Sequence, residues 1–212
     1  MTVVGVVAGS GGAGASSLAA VFASAVGAML VDLDPVGGGL DVLLGLEAEP
    51  GARWSGLQLA GGTLDPRALA DGLPQWGAVP VLAADAFAPS VGQVQEVLDA
   101  AVSWGDVVID LPRTPSAERD TAAMRCALVV VVALATVRGL VAAQALVASL
   151  PDVPVGLILR PGEVPAGEVG AYVAAPVLGT LRRPVGSLEP GRRRPRAATR
   201  LAEGVFDGLV QW

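Results

Sequence analysis

The chain has 212 residues, 52% of them hydrophobic, with a formal net charge of −6 and one cysteine. That length and apolar content are enough for one large domain with a substantial core, and with aromatics at only 4% the core must be built from Val, Leu and Ala. Cys126 alone excludes an internal disulfide, no uninterrupted apolar run reaches membrane-spanning length, and the first residues lack the basic start of a secretory signal, so a cytoplasmic protein is expected.

Apolar runs alternate with helix-like segments along the chain. Thr2–Ala8 (TVVGVVA) reads as a strand, a glycine loop follows, and Ser16–Val26 reads as an Ala-rich helix. Ala28–Asp32 is a second strand. Val79–Ala83 is a third, with a helix near Val91–Ser103 after it. Asp106–Leu111 (DVVIDL), Ala127–Leu134 (ALVVVVAL) and Val155–Leu159 (VGLIL) are further strands, with helices near Ala117–Arg125 and Arg138–Ser149 between them. A short strand near Pro176–Leu181 and a last helix near Ala197–Val210 complete the pattern, and Pro184–Arg196 is the least structured stretch. Continuous Val-rich strands separated by helices predict a doubly wound, mostly parallel α/β sheet with helices on both faces. Ligands in such folds bind beyond the carboxyl ends of the strands.

The stretch AGSGGAGASS (Ala8–Ser17) sits at such an end. Against the phosphate-binding pattern G-x-x-x-x-G-K-[S/T], Gly9 and Gly14 occupy the glycine positions and Ser16 the hydroxyl position, but Ala15 stands where the lysine belongs. No lysine elsewhere can replace it, because all 14 basic residues are arginine. Gly9, Gly11 and Gly14 also fit the dinucleotide fingerprint G-x-G-x-x-G, with Asp32 at the end of the next strand as the ribose-binding acid. A nicotinamide or flavin oxidoreductase is therefore a rival reading, and a tight turn with no ligand is a third. In the first two, glycines let the backbone approach a phosphate, and the start of the following helix adds its positive end.

Residues farther along separate these readings. VDLDPVGGGLD (Val31–Asp41) adds a second carboxylate, Asp34, and VVIDLP (Val107–Pro112) places Asp110 at the end of a buried strand. Extra acids near a phosphate loop suit magnesium and an attacking water better than a ribose. The chain has no histidine, no lysine and only Tyr172 as a tyrosine, so the usual acids and bases of hydride transfer are missing. Cys126, just before a Val-rich strand, reads as core.

Taken together, Ser10–Ser17 resembles the deviant phosphate loop of the MinD/ParA ATPases, K-G-G-x-G-K-[S/T]-[S/T]. Asp32–Asp41 resembles that family's D-x-D-P-x-G region and Asp106–Arg113 its Walker B strand. With LPQWGAVPVLAAD (Leu73–Asp85) and the ending from Leu178 to Val205, nearly all of the chain is similar to the CpaE-like or TadZ-like branch of that family, whose longer members carry an N-terminal receiver-like domain that is not expected here. The resemblance implies a single P-loop domain over 1–212. The backbone across Gly9, Ser10, Gly11, Gly12, Ala13, Gly14, Ala15, Ser16 and Ser17 would hold ATP or ADP. Ser16 would coordinate Mg²⁺, and Ser17 would contact the α-phosphate. Asp32 and Asp110 would act near the metal, mostly through water, and Asp34 would position the attacking water. Arg160 stands where relatives carry an adenine-reading asparagine.

Two departures stand out. Ser10 replaces the lysine that family members reach across a dimer interface, and Ala15 replaces the loop lysine. A cation at the transferring phosphoryl group is worth roughly 10³–10⁵ in rate, so slow or absent hydrolysis is expected while some nucleotide binding persists. The family further implies a homodimer across the nucleotide face and a place beside a Tad-type pilus or secretion apparatus or the division septum. It would then be recruited to the pole, the septum or the inner membrane face by protein partners.

Charge is uneven. Residues 1–181 carry seven arginines against 17 acids, and residues 182–212 carry seven against three. The cluster Arg192–Arg196, with Arg182, Arg183 and Arg200, contacts DNA phosphates or an acidic partner, or is a solvated loop, and the acidity of the rest favours the loop. Leu201, Val205, Leu209 and Trp212 share one face of the last helix. Its body carries Arg200, Glu203 and Asp207 rather than a lysine-rich face, which favours packing on the sheet over membrane binding.

Overall fold

The computed structural model describes residues 1–35, 39–57, 59, 63–182, 185, 188 and 196–210, of Val210 only the backbone. Arg183, Arg192–Arg194 and Trp212, named above, lie outside the described residues, as does most of 184–195.

Among the described residues, eight strands and eight α-helices follow one another. They are β1 (Val3–Ala8), α1 (Ala15–Val26), β2 (Met29–Asp32), α2 (Gly39–Leu44), α3 (Pro66–Gly72), β3 (Gln75–Trp76), β4 (Val79–Leu82) and α4 (Val91–Trp104). Then come β5 (Val107–Leu111), α5 (Ala117–Ala123), β6 (Leu128–Leu134), α6 (Val137–Ser149), β7 (Val155–Arg160), α7 (Ala166–Val173), β8 (Val177–Thr180) and α8 (Arg196–Val210). A 3-10 turn covers Trp54–Gly56.

The strands form one sheet in the order β3-β4-β2-β5-β1-β6-β7-β8. All neighbours are parallel except β3, which runs antiparallel to β4 at one edge. The chemistry of the runs explains this. β-Branched Val and Ile suit a pleated surface, and a strand buried on both faces needs no polar alternation. Helices α3 to α7 cover one face and contribute Leu69, Val97, Leu98, Ala122, Leu140 and Val169 to its core. Helices α1, α2 and α8 cover the other with Leu18, Phe22, Leu40, Leu44, Ala202 and Phe206.

The central strands read from the sequence are present, with ends shifted by a residue or so. Four short elements were not read: α2, α3, β3 and α7. The last helix reaches the sheet at β8 as expected, but packs chiefly against α1 and on a shifted face. Ala198, Ala202, Val205 and Phe206 are buried there, while Leu201 and Leu209 are only partly covered. Alanines at the contact let α8 lie close to the Ala-rich α1.

Four helices open with a side-chain cap. Asp65 accepts from the Arg67 and Ala68 amides at α3, Ser90 from Gln93 at α4, Ser116 from Arg119 at α5 and Thr136 from Gly139 at α6. Each satisfies amides that the helix itself leaves orphaned. Helix α1 is different: its N-cap is Gly14, and no side chain caps it.

Candidate functional site

Strands β2, β5 and β1 lie side by side, so the loops leaving them meet at one edge of the sheet. The loop after β1 turns into α1 through Gly12 (φ 75°) and Gly14 (φ 86°). Both are left-handed conformations that L side chains rarely adopt. Gly9 is needed for a different reason: a Cβ there would lie 3.2 Å from Ala143 Cβ and 3.3 Å from the Val132 carbonyl. The loop is thus pressed against α6 and β6, and the first amides of α1 are left open.

Asp32 and Asp110 are direct partners in the parallel register of β2 and β5. Side chains alternate along a strand, and both acids fall on the face shared by Leu30 and Val108, the face that α1 covers. Both are buried. Asp32 accepts amide hydrogen bonds from Asp34 (2.9 Å) and Leu40 (2.9 Å). Its backbone carbonyl accepts from Trp54 Nε1 at 2.7 Å, which pins the end of β2. Burial pushes the Asp32 carboxyl up to about 6 despite those amides, and the nearby Asp34 carboxylate adds to the rise. Burial also lifts Asp110 well above the usual carboxylate range, and the charge of Asp32 lifts it further. The neighbouring Ser16 hydroxyl works in the opposite direction.

These groups line one cavity of about 470 Å³, together with Gly11, Gly12, Gly14, Ala15, Ser17, Asp34 and Arg113. Of the loop residues expected to hold a nucleotide, Gly9, Ser10 and Ala13 stand behind this wall rather than in it. The Ser10 hydroxyl is buried and has no hydrogen-bond partner among the described residues. Arg160 ends β7 and lines a separate cavity of about 260 Å³ with Thr180, Pro161 and Arg182. The structure therefore brings Asp32, Asp34, Asp110 and Ser16 together and sets Arg160 apart.

Sequence reasoning missed Gly39, Leu40 and Leu43 of α2, which close one side of the cavity, and Thr114. It also missed Trp54. Helix α2 begins at the last residue of the glycine run and is only six residues long, too short to give a helical period to read. Trp54 is a lone aromatic whose indole N–H demanded a partner, a signal visible only as chemistry.

Among the described residues, no group of three or more acids, cysteines or histidines is close enough to enclose a metal ion. Magnesium does not require one. It is held by one or two protein oxygens, with waters and phosphate oxygens completing its shell. A hydroxyl beside two desolvated carboxylates, opening on a cavity, fits that chemistry.

The same architecture occurs in solved structures. A ParA family ATPase from Chlorobium tepidum superposes with a TM-score of 0.76 over 100% of this chain and 93% of its own, at 16% identity. The fold is that of the ParA and MinD ATPases. MinD in the MinC:MinD cell division complex of Aquifex aeolicus gives a TM-score of 0.73 at 14% identity, covering 98% of this chain and 96% of that one. The septum site-determining protein MinD of Pyrococcus horikoshii, complexed with Mg-ADP, gives 0.64 at 17% identity, covering 96% and 95%. No family model matches the chain. Two uncharacterized proteins from two strains of Mycobacterium tuberculosis are each 38% identical to it over 215 residues. The alignment takes in 96% of this chain but 61% of theirs, so the chain spans about three fifths of the relatives it matches. Among the described residues, no helix of this ParA/MinD fold is long and apolar enough to cross a membrane.

Proposed function

We propose that the strand-end cavity binds ATP or ADP with Mg²⁺ and hydrolyses ATP slowly or not at all. The protein then acts as a nucleotide-responsive positioning factor. The observation that carries this reading is the meeting of Ser16, Asp110 and Asp32 in one cavity with the glycine loop, the two acids opposite each other on adjacent strands. Loop amides and the uncapped start of α1 attract phosphate. Bound magnesium would neutralise charge on the phosphates. Ser16 is the residue to coordinate it, and Asp32 and Asp110 are the residues to hold its water shell. Asp34, at the same wall, is the residue to orient a water.

The oxidoreductase reading has less support. A ribose-binding site would use Asp32 alone, whereas this cavity also gathers Asp34, Asp110 and Ser16. A ligand-free scaffold would fill the loop with its own side chains, and this cavity is open. Weak hydrolysis follows from Ser10 and Ala15 standing in place of two lysines. The cellular role is carried by resemblance: CpaE-like and TadZ-like proteins suggest a homodimer that marks the site of a Tad-type pilus or secretion apparatus, or of the septum.

Calorimetric titration with ATP, ADP and NAD, each with and without Mg²⁺, tests the reading. Magnesium-dependent ATP binding that Asp110→Ala weakens supports it. Binding of NAD alone would transfer the site to the oxidoreductase class. No binding by any of the three would leave a scaffold.

A further inference from the structure

A phosphate site built only from amides and carboxylates has an electrostatic gap. Three aspartates line this cavity, and the loop brings no cation to it. Something must offset a polyphosphate's charge besides magnesium, and the described arginines differ sharply in their freedom to do so. Arg53 is tied to Asp41, Arg119 to Asp120 and Arg125 to Asp99. Arg160 and Arg182 line the other cavity. Arg67, Arg138, Arg196 and Arg200 lie on α3, α6 and α8 and line neither.

Arg113 alone among the described arginines lines the loop cavity. It belongs to the β5–α5 connection, three residues after Asp110. A Cβ built on Gly11 would lie 4.0 Å from Arg113 Nη1, and nothing else would come within 4 Å of it. The guanidinium therefore hangs over the loop backbone just where the absence of a side chain leaves room. Among the described residues it forms no ion pair, although three carboxylates share its cavity. Its backbone is held from below. Arg119, fully buried, donates from Nη1 to the Arg113 carbonyl at 3.4 Å and to Ser149 Oγ at 3.2 Å. From Nη2 it donates to the Ser149 carbonyl at 2.5 Å. Pro112 restricts the backbone just before Arg113.

We propose that Arg113 is the phosphate-contacting cation of this site, supplied in cis from the β5–α5 loop in place of the absent loop lysine. The proposal rests on the nucleotide reading above. A guanidinium is permanently charged and offers its N–H groups as a planar fork that matches phosphate oxygens. Standing over Gly11, it faces whatever the loop amides hold, and β5 with the loop after it then delivers both Asp110 on the metal side and Arg113 on the phosphate side. Its contribution grows with the number of phosphates, because the attraction is to charge and not to base or ribose.

The test is calorimetric titration of the whole chain with Mg-ATP, Mg-ADP and AMP, in the wild type, Arg113→Ala, Arg113→Lys and the control Arg67→Ala. Loss of a charged hydrogen-bonding partner should weaken ATP binding roughly 10- to 100-fold in Arg113→Ala. AMP should be affected much less. Arg113→Lys should fall between, keeping charge but losing the fork, and Arg67→Ala should match the wild type. The melting temperature of Arg113→Ala should stay at the wild-type value, since the side chain is exposed. Wild-type ATP affinity in Arg113→Ala, or an equal loss for ATP and AMP, overturns the role of Arg113 and leaves the nucleotide reading standing. An equal loss in Arg67→Ala reduces the effect to overall charge and also overturns it. A wild type that binds no nucleotide overturns both readings at once.

Discussion

Asp32 and Asp110 stand directly opposite each other on adjacent parallel strands, both buried and both held above the ordinary carboxylate range. Two acids so placed are an unfavourable pair in the empty protein and a favourable one around a hydrated cation. The fold retains a local instability that a ligand relieves, as functional sites commonly do.

The sign of the pH effect follows for Asp32. Its native carboxyl titrates near 6 and its unfolded one near 3.8. Between those values the native state holds a proton that the unfolded chain has released, so this residue's contribution to stability falls as pH rises through that window. Asp32→Asn cannot titrate there. Denaturant unfolding of both proteins from about pH 4 to about pH 7 should show the variant gaining on the wild type by on the order of 3 kcal/mol. A constant difference across the range would mean that Asp32 ionises normally.

Asp110→Asn keeps an oxygen for the Ser16 hydroxyl and removes the charge repelled by Asp32. At neutral pH the ligand-free variant should unfold later than the wild type, by about 1–3 kcal/mol. The same variant should lose the magnesium dependence of nucleotide binding. Melting curves with and without Mg-ATP give both numbers. A variant that is destabilised and still binds Mg-ATP would show that the pair is structural.

Arg119 carries a further prediction. Its guanidinium is fully buried and joins Arg113, Asp120 and Ser149. Arg119→Met fills much of the same volume but leaves the Ser149 and Arg113 carbonyls short of a donor. Unfolding free energy should drop by about 2–4 kcal/mol, the range for broken buried networks. At temperatures where the variant remains folded, ATP affinity should drop too, because the loop carrying Arg113 loses its tether. Unchanged affinity would separate the tether from the site.

The legible parts of this protein were those where local chemistry and tertiary role agree. Val-rich runs that end in Asp32 or Asp110 announce both a buried strand and a charged residue at its carboxyl end. Gly9 and Gly14 announce a loop whose backbone can approach a phosphate. Helix α7 escaped because two glycines in AGEVGAYV dilute its helical pattern, and β3 because two residues make no pattern at all. The α3 start was readable in principle from Asp65-Pro66, a cap followed by proline at the first helical position. In α8 the large leucines mark only one edge of the packed face, of which Val205 is the fully shared member. The deciding contact is with α1, where small residues allow close approach, and Leu201 instead lies over Gly179 of β8. The nearness of Arg113 to Gly11 joins two loops about a hundred residues apart and leaves no trace in either segment.

Ala15 offers the most direct test of what the site has lost. It opens α1, is buried at the cavity wall, and occupies the position of the loop lysine. Ala15→Lys places a long flexible stem at the edge of an open cavity of about 470 Å³ rather than inside a packed core. Its ammonium would meet three carboxylates in the empty protein and the phosphates in the bound one. Affinity for Mg-ATP should rise about tenfold or more, in keeping with one charged hydrogen bond. Hydrolysis responds to a stricter condition, since a cation accelerates transfer only if the attacking water is already aligned. Phosphate release that rises by orders of magnitude in Ala15→Lys and vanishes in the double variant with Asp34→Ala would show that the rest of the machinery is intact behind the missing lysine. Tighter binding with no turnover would show that the loop lysine restores grip but not chemistry, which leaves Ser10, in place of the second lysine, and the alignment by Asp34 as the remaining losses, separated by adding Ser10→Lys.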